Sequence, residues 1–345
     1  MNDYTQSKDI EIMAIDLAKS SFQLHGVNHS GHKVVAKKLT RKRLKAFMIK
    51  LSSCLVIMEA CGSAHYWGRL FQSYGHQVKL IAPQFVKPFV KSNKNDAADA
   101  EAIAEAGQRP SMRFVSIKSV AQQEALALHR VRSQAVKNRT ALVNQVRGFL
   151  LERGIEIPRG REHVRKHLAE IVGDQDNDIG IRFRHLLQDL YDDLVALDAR
   201  IERYNKEFSI SAQECESIQR LMSIPGVGPQ TASAIVASIG DITLFKNARE
   251  LAAFLGLVPR QSSTGGRPTL LGISKRGDVY LRTLLIHGAR SVLQRVEKKS
   301  DAVSQWANNL VQRRGKNIAA VALANKMARV VYALLSKEEN YHAPA

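Results

Sequence analysis

Two apolar runs near the start of this 345-residue chain each end in a single carboxylate, and they constrain the fold more than any other feature. One run is Ile-Met-Ala-Ile-Asp, ending at Asp16, and the other is Leu-Val-Ile-Met-Glu, ending at Glu59. Short uninterrupted apolar runs are typical of strands buried within a sheet. A carboxylate in such surroundings needs a partner, because an unpaired buried charge is costly. If the two strands are adjacent, the two carboxylates lie side by side.

The order of elements around these runs indicates the fold class. The residue patterns predict strands over 10–17, 22–27 and 33–39, a helix over 41–51, a strand over 54–58, a helix over 65–74, a strand over 77–81, a helix over 96–106 and a strand over 114–117. An antiparallel meander followed by strands that alternate with helices is the order of a ribonuclease H-like domain. We therefore predict an α/β domain of this kind over residues 1–118.

The remainder of the chain is predicted to be mainly helical. Residues 119–154 contain few helix breakers and carry apolar side chains near a heptad spacing. A second long helix is predicted over 181–208, after a basic linker at 158–165. Residues 119–210 are therefore predicted to form a helical arm, either as an antiparallel coiled coil or by crossing to a second subunit, and a dimer is expected.

A glycine-rich turn between two predicted helices opens the last predicted domain, residues 211–345. The turn is Ser-Ile-Pro-Gly-Val-Gly-Pro at 223–229, in which Gly226 and Gly228 permit a tight reversal of the chain. Free N–H groups at the start of the following helix can face a phosphate. This is the helix-hairpin-helix pattern, and a plain helical hairpin without DNA contact is the alternative.

The charge of the chain favours a polyanionic partner. Its 51 Lys and Arg residues outnumber its 32 Asp and Glu residues, which gives a formal net charge of +19 and favours nucleic acid. On the long helix of the arm, Arg130 and Arg139 fit either a surface that binds nucleic acid along the helix or an ordinary solvated face. Lys94 fits a phosphate ligand, although a solvated lysine is the commoner outcome.

Two further carboxylates complete a candidate metal site. Asp96 and Asp99 are three residues apart on a predicted helix and share one face of it. Brought together with Asp16 and Glu59 they would repel one another, and Mg²⁺ ions would relieve that repulsion while activating a nucleophile on a phosphodiester. Taken singly, each acid would more often be a helix cap or a surface charge.

The cysteines and the apolar segments of the sequence indicate the cellular compartment. The three cysteines have no metal-ligand spacing, which favours free thiols in a reducing compartment. The first residues show no basic start followed by an apolar stretch, and the apolar segment 318–335 is broken by Asn325, Lys326 and Arg329. We expect a cytoplasmic protein without a membrane partner.

A run rich in hydroxyl groups and glycine forms a second candidate site. Val-Pro-Arg-Gln-Ser-Ser-Thr-Gly-Gly-Arg at 258–267 is followed by Gly-Ile-Ser-Lys-Arg-Gly-Asp at 272–278. The cations that bracket the hydroxyl groups are Arg260, Arg267, Lys275 and Arg276. Such a run predicts a flexible loop that cradles an anion, and an ordinary solvated loop is the alternative.

Taken together, these features resemble the DEDD transposases of bacterial insertion sequences, which are bridge-RNA-guided recombinases. The resemblance rests on the acidic residues, the Pro-Gly-Val-Gly turn, Phe-Leu-Gly-Leu-Val-Pro-Arg at 254–260 and Gly-Ile-Ser-Lys-Arg-Gly-Asp-Val-Tyr-Leu-Arg at 272–282. It covers nearly the whole chain. It implies a coiled-coil arm, a transposase domain with a nucleophilic serine, and a RuvC-like domain whose acids hold Mg²⁺. The acids that match are Asp16, Glu59, Asp96 and Asp99.

The resemblance also implies how the chain acts. The serine would attack a DNA phosphate and form a covalent phosphoserine intermediate, in a site completed by the acids and Mg²⁺ of another subunit. The implied partners are donor and target DNA, a guide RNA, and further copies of the chain in a dimer that assembles into a tetramer. Ser263 matches the serine of the family, with Ser262 and Thr264 as alternatives, while Ser274 fits a cap or phosphate contact.

Two other functions fit the same residues. A metal-dependent junction nuclease would use the acids with water as the nucleophile. A non-catalytic nucleic-acid-binding protein would use the charge and the turn motif, but it would have no use for four acids.

Overall fold

The computed structural model of the chain describes residues 9–91, 95–174 and 177–342. Within these residues the chain forms two compact units. The first contains the chain up to Ala121 together with Ile239–Leu244, and the second contains Gln122–Ser238 and the residues from Phe245 onward.

A six-stranded sheet forms the centre of the first unit. Its strands are β1 (Ile12–Leu17), β2 (Ser21–Val27), β3 (Lys33–Thr40), β4 (Leu55–Glu59), β5 (Gln77–Ile81) and β6 (Phe114–Val115). The spatial order is β3-β2-β1-β4-β5-β6. The first three strands form an antiparallel meander, β4 is parallel to β1, β5 is parallel to β4, and β6 is antiparallel to β5. The mixed α/β class predicted for this region is confirmed.

Alternation along β1 divides its side chains between two apolar cores. The helices around the sheet are α1 (Arg41–Met48), α2 (Ala64–Ser73), α3 (Pro83–Val86) and α4 (Asp96–Gly107). Ile15 belongs to one core with Trp67 of α2, whose indole is fully buried, whereas Ala14 belongs to the other core with Ile57 and with Ile103 of α4. Successive side chains of a strand point to opposite faces, so Ala14 identifies the face of the sheet that α4 covers.

Three helices form an arm in the second unit. They are α5 (Val120–Leu151), α6 (Arg161–Gly173) and α7 (Ile181–Glu214). Arg132 donates to Asn205 and Arg139 to Asp198, so α5 and α7 run side by side in opposite directions. The coiled-coil geometry predicted for the arm stays a prediction.

The helix α6 replaces most of the basic linker predicted at 158–165, and that prediction was wrong. Val164 and Leu168 of α6 are four residues apart and therefore on one face of the helix, and both are fully buried. They pack in one core with Val146 and Leu150 of α5 and Leu187 of α7. The apolar pair, rather than the surrounding charges, determines the local structure.

The rest of the second unit is helical except for one hairpin. Its elements are α8 (Glu216–Met222), α9 (Pro229–Ile239), α10 (Ala248–Phe254), β7 (Pro259–Thr264), β8 (Arg267–Ile273), α11 (Val279–Leu293), α12 (Ala302–Arg314) and α13 (Lys316–Lys337). The helix α13 packs against α8, α10, α11 and α12. Among the helices described, α13 is long and apolar enough to cross a membrane by composition, a test that core helices also pass. Leu323, Met327 and Val331 are buried along it, as in a core helix.

Candidate active-site residues in the two units

Asp16 and Glu59 occupy matching positions at the ends of neighbouring parallel strands. The pairing of β1 with β4 runs from Ile12 opposite Leu55 to Ile15 opposite Met58, so Asp16 and Glu59 are the next pair in the register. By alternation both carboxylates point to the face that α4 covers, and both residues are half-buried. The adjacency predicted from the two apolar runs is therefore present.

The other two acids lie in the first turn of α4. Asn95 caps this helix, since its Oδ1 accepts a hydrogen bond from the Ala98 backbone N–H at 2.8 Å. Asp96 is exposed and Asp99 is half-buried. Carboxylates are favourable at a helix N-terminus because of the helix dipole, which gives these acids a stabilising role of their own.

A lysine connects the start of α4 to the sheet. Lys38 Nζ lies 3.0 Å from Asp96 Oδ2. Lys38 on β3 pairs with Gln23 on β2, which pairs with Asp16 on β1, so these three residues form a row on one face of the sheet. The first turn of α4 therefore approaches the same face of the sheet that carries Asp16.

The four acids share a region but do not form a closed metal site. In the part of the chain that the structure describes, no three His, Cys, Asp or Glu side chains are close enough to hold a metal ion. Carboxylate oxygen donors are nevertheless the ligands that hard divalent cations such as Mg²⁺ prefer. The donor chemistry fits a divalent cation, with Asp16 and Glu59 already adjacent. Lys94 lies outside the described residues.

The residues around Ser263 form a β-hairpin, and the flexible loop predicted there was wrong. Strands β7 and β8 are antiparallel and are joined by Gly265 and Gly266, whose φ angles are +57° and +75°. A two-residue hairpin turn of type I′ requires positive φ at both central residues, which glycine adopts without strain. The glycines therefore fix the register of the hairpin rather than providing flexibility.

Alternation along β7 separates the three candidate hydroxyl groups. Ser263 is opposite Pro268 and shares a face with Gln261, whereas Ser262 and Thr264 point to the other face. Gln261 Nε2 donates a hydrogen bond to Ser263 Oγ at 2.7 Å. The hairpin thus distinguishes Ser263 from its two neighbours by face and by hydrogen bonding.

Four exposed cations surround the hairpin. Within the described chain none of them takes part in an ion pair, so their charges are available to an anion. They are Arg260, Arg267, Lys275 and Arg276. Ser274 Oγ accepts a hydrogen bond from the Arg276 backbone N–H at 3.4 Å, whereas the N-cap of α11 is Asp278.

Close backbone contacts explain two of the glycines around the hairpin. A Cβ on Gly277 would lie 1.8 Å from the carbonyl oxygen of Phe254, and one on Gly256 would lie 2.1 Å from that of Arg276. Any side chain at either position would push the two segments apart. The segment before the hairpin and the segment after it are therefore held together at the base of the hairpin.

The turn between α8 and α9 packs directly on α11. Gly226 has φ of +86°, and a Cβ there would lie 2.6 Å from the carbonyl oxygen of Gly288. A Cβ on Gly288 would in turn lie 2.2 Å from the carbonyl oxygen of Gly226. Gly228 precedes α9, and its carbonyl accepts a hydrogen bond from Ala232 N–H. Two helices joined by a glycine turn are present as predicted, whereas a helix-hairpin-helix motif and its contact with DNA stay predictions.

Two family models match the chain. A transposase model of the DEDD, IS110 type matches residues 13–154, and the model of the transposase IS116/IS110/IS902 family matches residues 218–305. Together they cover the acid-bearing sheet, the helix α5 of the arm, the turn between α8 and α9, and the serine hairpin.

Curated transposases are similar over nearly the full chain. A protein of Pseudomonas aeruginosa described as "Probable family 20 transposase" is 51% identical over 95% of this chain and 98% of its own length. The transposase for insertion sequence element IS1111A of Coxiella burnetii is 47% identical over 98% and 93%, respectively. The chain belongs to the IS110/IS116 family of DEDD transposases. The transposase for IS1328 of Yersinia enterocolitica is also similar, at 43% identity over 95% of this chain.

Membership confirms the resemblance seen in the sequence and makes the chain a DNA-acting enzyme. The DEDD domain also implies the use of divalent metal in general. Neither finding assigns roles to individual residues of this transposase.

The two arginines singled out on the arm of the transposase differ in their surroundings. Arg139 Nη1 lies 2.8 Å from Asp198 Oδ1, and only 12% of the Arg139 side chain is exposed. Arg130 is exposed. The structure therefore gives Arg139 a partner inside the arm and leaves Arg130 open to solvent.

A buried histidine network in the transposase was missed in the sequence. His129 of α5 stacks on Phe208 of α7 at 4.3 Å, its Nδ1 lies 3.0 Å from Tyr280 Oη, and its Nε2 lies 3.3 Å from Ser233 Oγ. Burial, with a smaller effect from the charge of Arg132, lowers the pKa of His129 to about 4. The partners are 79 to 151 residues away in the sequence, so no local pattern could have indicated them.

Proposed function

We propose that this transposase cleaves and exchanges DNA strands with Ser263 as the nucleophile and with Mg²⁺ held by Asp16, Glu59, Asp96 and Asp99. The observation that supports the serine assignment is the hydrogen bond from Gln261 Nε2 to Ser263 Oγ, on the face of β7 from which Ser262 and Thr264 point away. The adjacency of Asp16 and Glu59 supports the acid assignment.

In the proposed reaction Ser263 Oγ attacks the phosphorus of a DNA phosphodiester. A bond forms between Oγ and phosphorus while the bond from phosphorus to the leaving deoxyribose oxygen breaks, and that oxygen ends as a hydroxyl group after taking up a proton. The seryl proton is lost in the same step. One phosphodiester replaces another, so a later attack by a deoxyribose hydroxyl on the phosphoserine rejoins a strand and frees Ser263.

The residues around Ser263 would orient the attack and neutralise the phosphate. The amide N–H of Gln261 donates to one lone pair of Ser263 Oγ and so orients the hydroxyl group of Ser263. Arg260, Arg267 and Arg276 are exposed cations within the same segment and suit the phosphate oxygens. Lys275, also exposed, would add a further positive charge.

The acids would act from the first unit. Bound Mg²⁺ supplies a Lewis acid that stabilises negative charge on the reacting phosphate. Asp16 and Glu59 would hold the ion from the sheet and Asp99 from α4. For Asp96 to bind it as well, the ion pair between Asp96 and Lys38 would first have to break. We further propose that the acids of one subunit complete the serine site of another, in a dimer that assembles into a tetramer.

Nucleic-acid contacts are proposed to extend beyond the site. The net charge of +19, the exposed Arg130 and the start of α9 after Gly228 support binding of donor and target DNA and of a guide RNA. Lys94 is proposed as a phosphate ligand. The partner found for Arg139 favours a structural role for that side chain.

Trapping of the covalent intermediate tests the nucleophile. The purified transposase with its nucleic acids should form a protein–DNA adduct that is stable to denaturant, and Ser263→Ala should abolish it. Ser262→Ala and Thr264→Val are matched controls that should retain the adduct, because both side chains lie on the other face of the hairpin.

The same assay separates the alternative functions. Cleavage that persists in Ser263→Ala without any adduct would indicate a nuclease that uses water. Strand cleavage that is unaffected by Asp16→Asn would contradict the acid assignment. Sequencing of RNA that copurifies with the protein tests guidance, and the absence of RNA from the element would contradict it.

A further inference from the structure

An open groove in the second unit lies beside the hairpin. It has a volume of about 1460 Å³ and is bounded by the hairpin and by residues of α10, α12 and α13. Its surface is mainly apolar, with Leu270 and Leu271 on the hairpin side and Val321 and Ala322 on α13. Leu270 and Leu271 are exposed next to each other, at 66% and 42%, and extend this apolar surface to the solvent.

The charged residues of this groove are all cationic. Arg249, Lys326 and Arg329 line it, and no Asp or Glu is among its lining residues in the described chain. None of the three takes part in an ion pair among the described residues, so their charge is not neutralised within the second unit. An apolar surface with unneutralised cations fits a ligand that has an apolar part and an anionic part.

An aromatic ring lies beneath one of these cations. Lys326 Nζ lies over the ring of Trp306, 5.0 Å from its centroid, and Trp306 lines the groove with 37% of its surface exposed. Because the ammonium covers one face of the ring, a base would stack on the opposite face. An aromatic side chain beside a cation binds nucleotides without base selectivity, because the ring stacks on a base while the cation contacts the phosphate.

Gln261 connects the groove to the proposed nucleophile. Gln261 lines the groove and also donates to Ser263 Oγ, and it pairs across the hairpin with Leu270, another lining residue. A nucleotide in the groove would therefore be close along its strand to a phosphate at Ser263.

We propose that the groove binds an unpaired nucleotide of the DNA strand next to the phosphate that is cut, with its base against Trp306 and its phosphate near Lys326 and Arg329. Taking a base out of a duplex costs free energy, and stacking of the base on Trp306 would offset part of that cost. The bound base holds the strand in place and prevents it from pairing again with its complement. The identity of the cut phosphate rests on the proposed function of Ser263, whereas binding of the base does not.

Tryptophan fluorescence tests this proposal directly. The chain has two tryptophans, and Trp67 is fully buried in the first unit, so quenching by a small added ligand reports on Trp306. The full-length protein is titrated with the tetranucleotide dT₄ and with an abasic tetranucleotide that has the same phosphates. We expect quenching by dT₄ and little quenching by the abasic strand, since only the first offers bases to stack.

Variants then measure the contribution of the ring. Trp306→Leu should weaken binding of fluorescently labelled dT₄ about 5- to 150-fold, the range expected when one base–aromatic stack is lost, and leave binding of the abasic strand unchanged. Phe254→Leu is the matched control: Phe254 is also an aromatic residue exposed on the second unit, at 40%, but it does not line the groove. That variant should bind both strands like the wild type.

Three results would overturn the proposal. They are equal quenching by the two strands, wild-type affinity for dT₄ in Trp306→Leu, and loss of a dimer in Trp306→Leu by sedimentation, which would assign the groove to a second copy of the chain. The outcome is separate from that of the nucleophile, because Ser263→Ala should abolish the covalent adduct while leaving dT₄ binding unchanged. If the covalent adduct forms normally but dT₄ does not quench the fluorescence of Trp306, only the proposal for the groove is refuted.

Discussion

Acid should destabilise the second unit through His129, and the substitution His129→Gln tests this. The neutral ring satisfies both of its nitrogens. Tyr280 Oη accepts a hydrogen bond from Gln230 Nε2 and can donate its own proton to His129 Nδ1, while Nε2–H donates to Ser233 Oγ. In the protonated ring both nitrogens carry a proton, so Nδ1–H would point at the Tyr280 hydroxyl proton and could not accept a hydrogen bond from it. Folding therefore favours the neutral ring.

The direction of the pH dependence follows from the lowered pKa. The pKa of His129 is about 4 in the folded protein against the usual 6.5, so as the pH falls the unfolded chain binds a proton before the folded chain does. Stability is complete above about pH 6.5 and is lost as the pH falls toward 4. Between pH 7.5 and 4.5 this linkage amounts to about 2 kcal/mol, because each pKa unit corresponds to about 1.4 kcal/mol.

Urea denaturation followed by far-ultraviolet circular dichroism measures the effect. The wild type and His129→Gln are compared at pH 7.5, 6.5, 5.5 and 4.5. Glutamine keeps one donor and one acceptor but does not titrate, so the variant should be less stable at pH 7.5 and lose about 2 kcal/mol less than the wild type on acidification. His25, whose pKa burial also lowers, is present in both proteins and cancels in the comparison. Equal losses in the two proteins would refute the reasoning.

Two further predictions concern the packing of the turn and the acids. Gly288→Ala should lower the free energy of unfolding by about 1–3 kcal/mol, because its Cβ would overlap the Gly226 carbonyl oxygen, and an unchanged urea midpoint would contradict this. If Asp96 is a metal ligand, Lys38→Met should raise the affinity for Mn²⁺ about two- to fivefold by calorimetry, since loss of an exposed ion pair frees the carboxylate. Lys37→Met, on the opposite face of β3, is its control, and equal affinities would argue against competition between lysine and metal.

Much of the first unit could be predicted because its signals are local. The strand at Gln77–Ile81 was predicted with its observed bounds, and the strands around Asp16 and Glu59 within two residues. Apolar runs, period-two alternation and turn residues each act within a few positions, and the meander order then makes β1 and β4 neighbours. The adjacency of two of the acids was therefore predictable, whereas their distances from Asp96 and Asp99 depend on how α4 lies on the sheet.

The hairpin could not be recognised from apolar alternation. All residues of β7 are exposed, and its sequence is polar, so composition indicates a loop. The signal that was present is the pair Gly265-Gly266, which favours a two-residue hairpin turn. The helix α6 was also not predicted, because Pro158 and the surrounding basic residues indicate a linker, although Val164 and Leu168 have helical spacing.

The two-residue turn fixes the pairing of β7 with β8, and so it decides which face of the hairpin presents Ser263 together with Gln261. Side chains alternate between the faces, so a shift of one residue in this pairing would turn Ser262 and Thr264 to that face instead. Hydroxyl residues occupy three consecutive positions here, so a shifted hairpin would still present a hydroxyl group on that face, as Ser262 or Thr264. Each face of the hairpin therefore carries a hydroxyl group in either register.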